Sequence, residues 1–170
     1  MRCFIGISLE STALSRVVKL QEGLAKNGYK GNFTGKTNIH ITLSFLGEQN
    51  ERDVNKIIEI MDGIDFKEFI VKINKMTNLK DMIILEISKD KELMELQKTL
   101  TNKLKENGFK VDEKEYYPHI TLIRENNIKT NIDLDINSKV DRIILFESRR
   151  NNSNGKSYLE YRRIFERVSK

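Results

Sequence analysis

A chain of 170 residues with 38% hydrophobic and 32% charged side chains is long enough to bury a core and too evenly composed to be disordered or fibrous. Its single cysteine, Cys3, excludes an internal disulfide and a cysteine-rich zinc site, which points to a reducing, cytoplasmic setting. The formal charge of +5 suits a polyanionic partner without requiring one.

The first apolar run, Cys3-Phe4-Ile5-Gly6-Ile7-Ser8-Leu9, is too short to span a bilayer. It also lacks the basic lead and cleavage site of a secretion signal, so it reads as a strand and no membrane association is expected. Leu14, Val17, Val18, Gln21 and Leu24 follow at helical spacing, up to Asn27-Gly28, a pair suited to a left-handed C-cap. Gly35-Lys36-Thr37, with Gly31 upstream, looks like the tail of a phosphate-binding loop. The glycines have three residues between them instead of four, and a strand rather than a helix comes next, so the segment reads as a glycine-rich approach in which Lys36 is a candidate substrate contact. That strand holds His40-Ile41-Thr42-Leu43. Val54, Ile57, Ile58 and Met61 space a helix, and Phe69, Val71 and Ile73 alternate as a strand ending the first half.

The order then returns. Met82 to Ile87 is strand-like, and Leu93, Leu96, Leu100 and Leu104 space a helix that stops at Asn107-Gly108. Phe109-Lys110 matches Tyr29-Lys30, and His119-Ile120-Thr121-Leu122 closes the second copy. With 21 Ile, 9 Thr and 16 Leu in 170 residues, a second histidine meets the same three followers by chance with a probability of roughly 6 × 10⁻⁴. The chain therefore carries an internal repeat, approximately 3–46 and 82–124, and His40 and His119 are its only histidines. Val140 to Phe146 and Tyr158 to Phe165 form two further strands joined by the polar turn Asn151 to Gly155. The basic residues there, Arg149, Arg150, Lys156, Arg162 and Arg163, make either a phosphate-facing surface or a solvated hairpin. The expected fold class is α+β: one bilobal domain over 1–170, its two pseudo-symmetric lobes each a mainly antiparallel sheet with outer helices, flanking a central cleft.

Residues two apart on a strand share a face, so His40 stands beside Thr42 and His119 beside Thr121, while Ile41, Leu43 and Phe45 are expected in the core. If a pseudo-two-fold axis relates the lobes, the pairs meet across the cleft. Two imidazoles supply the base and the acid that in-line displacement at a phosphodiester needs near neutral pH. The threonine hydroxyls and Arg124 can hold non-bridging oxygens as charge builds. Two histidines without a carboxylate cluster make a poor ligand set, so neither metal nor cofactor is expected. A lone His-x-Thr is most often structural; the duplication turns the argument toward catalysis.

These motifs resemble the two-histidine phosphoesterase superfamily, and most closely its bacterial and archaeal RNA 2′,3′-cyclic phosphodiesterases, also called 2′-5′ RNA ligases. The resemblance covers nearly the whole chain. It rests on Met1 to Ile7, Asn38-Ile39-His40-Ile41-Thr42-Leu43-Ser44-Phe45-Leu46-Gly47-Glu48, Tyr117-Pro118-His119-Ile120-Thr121-Leu122-Ile123-Arg124, and the ending Leu145-Phe146-Glu147-Ser148 with Gly155 and Tyr158. It implies hydrolysis of a terminal 2′,3′-cyclic phosphate to a 2′-phosphate, with a weak reverse joining of ends. His40 would donate the proton to the leaving 3′ oxygen and His119 would activate water, while Thr42, Thr121 and Arg124 hold the phosphate. Phe33 and Tyr158 would each either stack on a base or serve the core. The segment Gly31 to Thr37 departs from the family in lacking its proline-rich character. The expected partners are RNA ends bearing a 2′,3′-cyclic phosphate or related nucleotides, with no obligate protein partner and a monomeric state. Two alternatives stay open: a sister enzyme acting on a cyclic nucleotide, ADP-ribose cyclic phosphate or 2′-5′ oligoadenylate, and a non-catalytic RNA-binding module.

Overall fold

The computed structural model describes residues 1–170. Strand β1 (Arg2–Ile7) sends Cys3, Ile5 and Ile7 into the main core and Phe4 and Gly6 to the opposite face. Helix α1 (Ser11–Lys26) buries Val17, Gln21 and Leu24 of the expected stripe, leaves Leu14 and Val18 half-buried and adds Ala13, and it ends before Gly28 at φ 85°. The short strand β2 (Asn32–Phe33) and a 3-10 turn at Lys36–Asn38 lead into β3 (Ile41–Glu48). Helix α2 (Glu51–Asp62) is capped by the Asn50 side chain, which accepts from Asp53 N at 2.8 Å. Then come β4 (Phe69–Leu79), β5 (Met82–Ile87), α3 (Lys91–Glu106), β6 (His119–Arg124), β7 (Ile132–Val140), β8 (Arg142–Ser153) and β9 (Lys156–Val168).

The strands form two antiparallel sheets, one ordered β3-β1-β8-β9 and the other β2-β6-β5-β4-β7. Their centres correspond: β3 beside β1 in one matches β6 beside β5 in the other. The strand pair at each centre carries one His-Ile-Thr-Leu segment. The halves are interlocked, however. Strand β2 of the first half pairs with β6 of the second, and Gln21 on α1 donates to Leu122 O at 3.1 Å. Reciprocally, Gln97 on α3 donates to Leu43 O at 3.3 Å. One cluster of 33 buried residues runs through both sheets and all three helices, so neither copy closes a core by itself.

Three expectations need correction. The strand beginning at Phe69 does not end the first half; it sits between β5 and β7 in the second sheet. The polar turn is shorter than read, since β8 and β9 pair out to Ser153 and Lys156, leaving Asn154-Gly155 with both residues at positive φ. Phe45 is not core. Register shifts in the β1–β3 ladder leave Leu43 as an extra residue between the pairs Gly6↔Thr42 and Ile5↔Ser44. This bulge reverses the alternation beyond it, so Ser44 is buried and Phe45 is 63% exposed. No helix is long and apolar enough to cross a membrane.

Candidate active site

His40 directly precedes β3 and His119 opens β6, and the chain treats them alike. Each ring places Nδ1 2.7 Å from the carbonyl oxygen two residues upstream, Asn38 O for His40 and Tyr117 O for His119. A carbonyl only accepts, so Nδ1 donates in both cases, and the neutral ring keeps its lone pair on Nε2. At His40, Nε2 lies 2.9 Å from Thr42 Oγ1, whose hydroxyl donates to it. Thr121 stands in the matching place beside His119, half-buried on the same face of β6.

Hydrogen bonds cross between the motifs. The Tyr116 hydroxyl, just ahead of the second motif, donates to Thr42 O at 2.7 Å. Thr34, ahead of the first, donates through Oγ1 to Thr121 O at 2.8 Å. Each approach segment thereby braces the opposite strand. The charges of His119 and Arg124 both disfavour protonation of His40, which sets the two motifs within one electrostatic field.

A bulge also decides where Arg124 goes. In the β5–β6 ladder, Leu122 is the extra residue between Ile84↔Thr121 and Ile83↔Ile123. Ile120, Leu122 and Ile123 are buried, whereas Arg124 emerges exposed on the side of His119 and Thr121. Phe45 on β3 stands at the position equivalent to Arg124, exposed for the same reason.

The surroundings of the two rings differ. His40 sits among Phe4 (ring centroids 4.8 Å apart), Tyr161 (5.3 Å, edge-on) and Phe146 (5.9 Å). Gly6 opens the floor: a Cβ there would come within 2.7 Å of Ile41 O and 3.4 Å of His40 Cδ2. Asn38 fixes the entry, its Nδ2 donating to Leu159 O at 2.9 Å while its Oδ1 accepts from Tyr161 N at 3.2 Å. Burial drives the His40 imidazole down to about 4, against the raising effect of the Asn38 carbonyl and with a further lowering from His119 and Arg124. His119 has a single aromatic neighbour, Tyr117, stacked at 5.4 Å. The Tyr117 hydroxyl donates to Glu86 Oε2 at 2.9 Å, and Glu86 is the cross-strand partner of His119, with Lys75 Nζ at 3.9 Å. Burial, then the Glu86 hydrogen bond and charge, push the Tyr117 phenol up to about 12.

Of the candidates read from sequence, His40 and Thr42 are hydrogen-bonded to each other, and His119, Thr121 and Arg124 share one face of β6. Phe33 lies half-buried on β2 opposite Ile123, packed against the main core. Tyr158, 48% exposed, pairs with Asn151 far out on the β8–β9 ribbon, and alternation turns it to the face opposite Tyr161. Lys36 is exposed in the 3-10 turn before His40. Sequence reasoning missed Phe4, Phe146, Tyr161, Asn38, Tyr117, Glu86 and Phe45. Asn38 and Tyr117 carried a usable signal, standing two residues before each histidine. The others come from strands whose neighbours only the fold reveals.

Residues 7–81 match the family described as LigT-like phosphoesterase. A Thermotoga maritima protein named RNA 2′,3′-cyclic phosphodiesterase is 31% identical over 131 residues, covering 73% of this chain and 70% of its own. A protein of the same name from Methanocaldococcus jannaschii is 32% identical over 126 residues, covering 73% and 71%. Among solved structures, Escherichia coli LigT complexed with 3′-AMP aligns at a TM-score of 0.82 with 19% identity, covering 99% of this chain and 97% of that one. A Thermus thermophilus protein of known structure, TT0787, aligns at 0.85 with 16% identity, with the same coverages. At these identities the structural matches speak to fold.

Proposed function

The chain belongs to the family of LigT-like phosphoesterases, and from that premise we propose that it hydrolyses a terminal RNA 2′,3′-cyclic phosphate to a 2′-phosphate, with His40 and His119 as the acid and base pair. The observation that carries this reading is the matched commitment of Nδ1 on both rings to a backbone carbonyl at 2.7 Å, which leaves Nε2 of each as the nitrogen that exchanges protons.

In the proposed step His119 Nε2 takes a proton from water as its oxygen attacks phosphorus. The bond from phosphorus to O3′ breaks, and His40 Nε2 delivers a proton to O3′. Thr42, Thr121 and Arg124 hold the non-bridging oxygens. Because burial keeps His40 neutral in the free protein, it must take up a proton before it can donate one. An anionic phosphodiester beside the ring favours that uptake, so substrate binding arms the acid. Phe45, exposed on the same side as Thr42, offers a ring face to the terminal base. We take the protein to act as a monomer in a reducing compartment, where its buried Cys3 stays a thiol.

The test is turnover of an oligoribonucleotide ending in a 2′,3′-cyclic phosphate, in the presence of EDTA, with the product resolved by chromatography. A 2′-phosphate end is expected. A product that is chiefly 3′-phosphate reverses the acid and base sides, restoration of activity only by added metal overturns the two-histidine mechanism, and turnover of mononucleotides alone moves the protein to a sister activity.

A further inference from the structure

The sheet β3-β1-β8-β9 has a face that the reaction above uses only at one end. Cross-strand partners define its rows. Thr42, Gly6 and Ile144 share one row, Phe45, Phe4 and Phe146 the next, and then Glu48, Arg2 and Ser148. Arg150 lies two residues beyond Ser148 on β8, past the end of β1, where only β9 accompanies it. Alternation puts Arg2 on the side of Phe4 and Gly6, and Arg150 on the side of Phe146 and Ser148. The two arginines are therefore diagonal neighbours, about 7–8 Å apart at the backbone. They continue the line that starts at Thr42 and passes Phe45.

Their pairing sets them apart from the other arginines of this sheet. On the opposite face, Arg149 Nε sits 2.8 Å and Arg162 Nη1 3.9 Å from the same Glu147 carboxylate. Arg163 is held by Glu166 at 2.7 Å and Arg142 by Asp141 and Glu166. Arg2 and Arg150 are exposed and have no carboxylate partner within ion-pair distance; the Arg150 guanidinium donates to Ser157 Oγ at 3.4 Å. The Glu48 carboxylate beside Arg2 is taken by the N-terminal ammonium at 3.0 Å. Two unpaired cations in line with an exposed aromatic ring are what a single strand of nucleic acid requires: fixed positive charge for its phosphates and a face for a base.

We propose that Arg2 and Arg150 form a track for the RNA strand that leads into the site, contacting phosphates upstream of the terminal nucleotide. This rests on the reading of the site as an RNA cyclic-phosphate hydrolase and deepens it, because it makes the substrate an oligonucleotide rather than a mononucleotide. The β8–β9 ribbon is then an RNA arm on one face and an ion-paired, structural surface on the other.

The experiment compares wild type with Arg2→Ala, Arg150→Ala and the double variant, on substrates from a 2′,3′-cyclic mononucleotide to a hexamer with the same end. For wild type, kcat/KM rises with length over the first few nucleotides. In the double variant most of that gain disappears, whereas Arg149→Ala on the opposite face keeps it. In parallel, fluorescence anisotropy follows binding of a 3′-phosphorylated hexamer against salt. Each lost phosphate contact flattens the slope of log K on log salt by about 0.7. A double variant that keeps the wild-type length gain and salt slope overturns the track, as does a wild type indifferent to length. If no substrate turns over, the reading of the reaction fails, while the salt slopes still decide whether the arginines bind RNA.

Discussion

The two halves carry the same tetrapeptide and hold the histidine by the same bond, yet they enclose the imidazoles differently. His40 lies against Phe4, Phe146 and Tyr161, with Nε2 bonded to Thr42. His119 rests on Tyr117 alone, with the Glu86 carboxylate on the neighbouring strand. The duplicated backbone makes the rings equivalent in orientation and tautomer. The side chains that make them unequal come from β1, β8 and β9 at one ring and from β5 at the other. A repeat can thus supply two similar groups, and sheet neighbours can then give each ring its own surroundings, as burial does in disfavouring the charged form of His40.

The largest test of equivalence removes each ring. His40→Ala and His119→Ala should each lower kcat/KM by ~10² to 10⁴, the usual range for a positioned acid or base, with circular dichroism and melting close to wild type. If one variant is nearly inactive and the other nearly normal, the halves do not share the chemistry.

Next in size is Gly6→Ala. Its methyl would press on Ile41 O, which is strand backbone and cannot swing aside. We expect a stability loss of about 1–3 kcal/mol. The start of β3 should shift with it, at a cost in turnover of up to about 10², since small displacements of reacting groups are expensive. The second half has no glycine beneath its histidine; Ile84 stands opposite Thr121 where Gly6 stands opposite Thr42. Unchanged turnover in Gly6→Ala would mean that the close approach under His40 is dispensable.

The pH response sharpens the contrast further. With His40 at about 4 in the free protein, the acid limb of kcat/KM should lie near pH 4, well below that of an exposed histidine at ~6.5. The limb belongs to the site as a whole, because one proton on either ring gives the same pH dependence. Tyr161→Ala opens the cage to water and should move the His40 titration, followed by NMR, up toward ~6.5. The sign for stability follows from the same shift. Between about 4 and 6.5 the unfolded histidine is protonated and the folded one is not, so this group's contribution is complete above pH 6.5 and is lost as pH falls to about 4. Thermal melting at pH 7 and pH 5 reads it, and a melting temperature that rises on acidification contradicts it.

The smallest effect is expected at the ring with one aromatic neighbour. Tyr117→Phe keeps the stacked ring and the carbonyl that accepts from His119 and removes only the hydroxyl bonded to Glu86. A loss of about 1 kcal/mol and a few-fold drop in kcat is expected. A drop as large as that of His119→Ala would give the Glu86–Tyr117 pair a far greater part in holding the ring.

Much of this was legible in the linear chain because it is periodic. The stripe Val17, Gln21, Leu24 and its counterpart Leu93, Leu96, Leu100, Leu104 predicted both helices, and the repeated His-Ile-Thr-Leu predicted two strands presenting a histidine and a threonine on one face. Alternation failed at Phe45, where an extra residue in the ladder turned an apolar side chain outward, and the same device at Leu122 is what delivers Arg124 to the site. A bulge is a property of two paired strands and leaves no mark in the period of one.

The sequence by itself determined the α+β class, the duplication, and the residues able to do acid and base chemistry, since each depends on local spacing or on residue type. Only the tertiary structure decided that β2 pairs with β6, that the helices brace the opposite motifs, and that Phe4, Phe146 and Tyr161 close around His40 while His119 has the ring of Tyr117 alone beside it. Those contacts join residues far apart in the chain, and their energies arise from burial and field at the meeting point. No stretch of chain contains that environment until the sheets have formed.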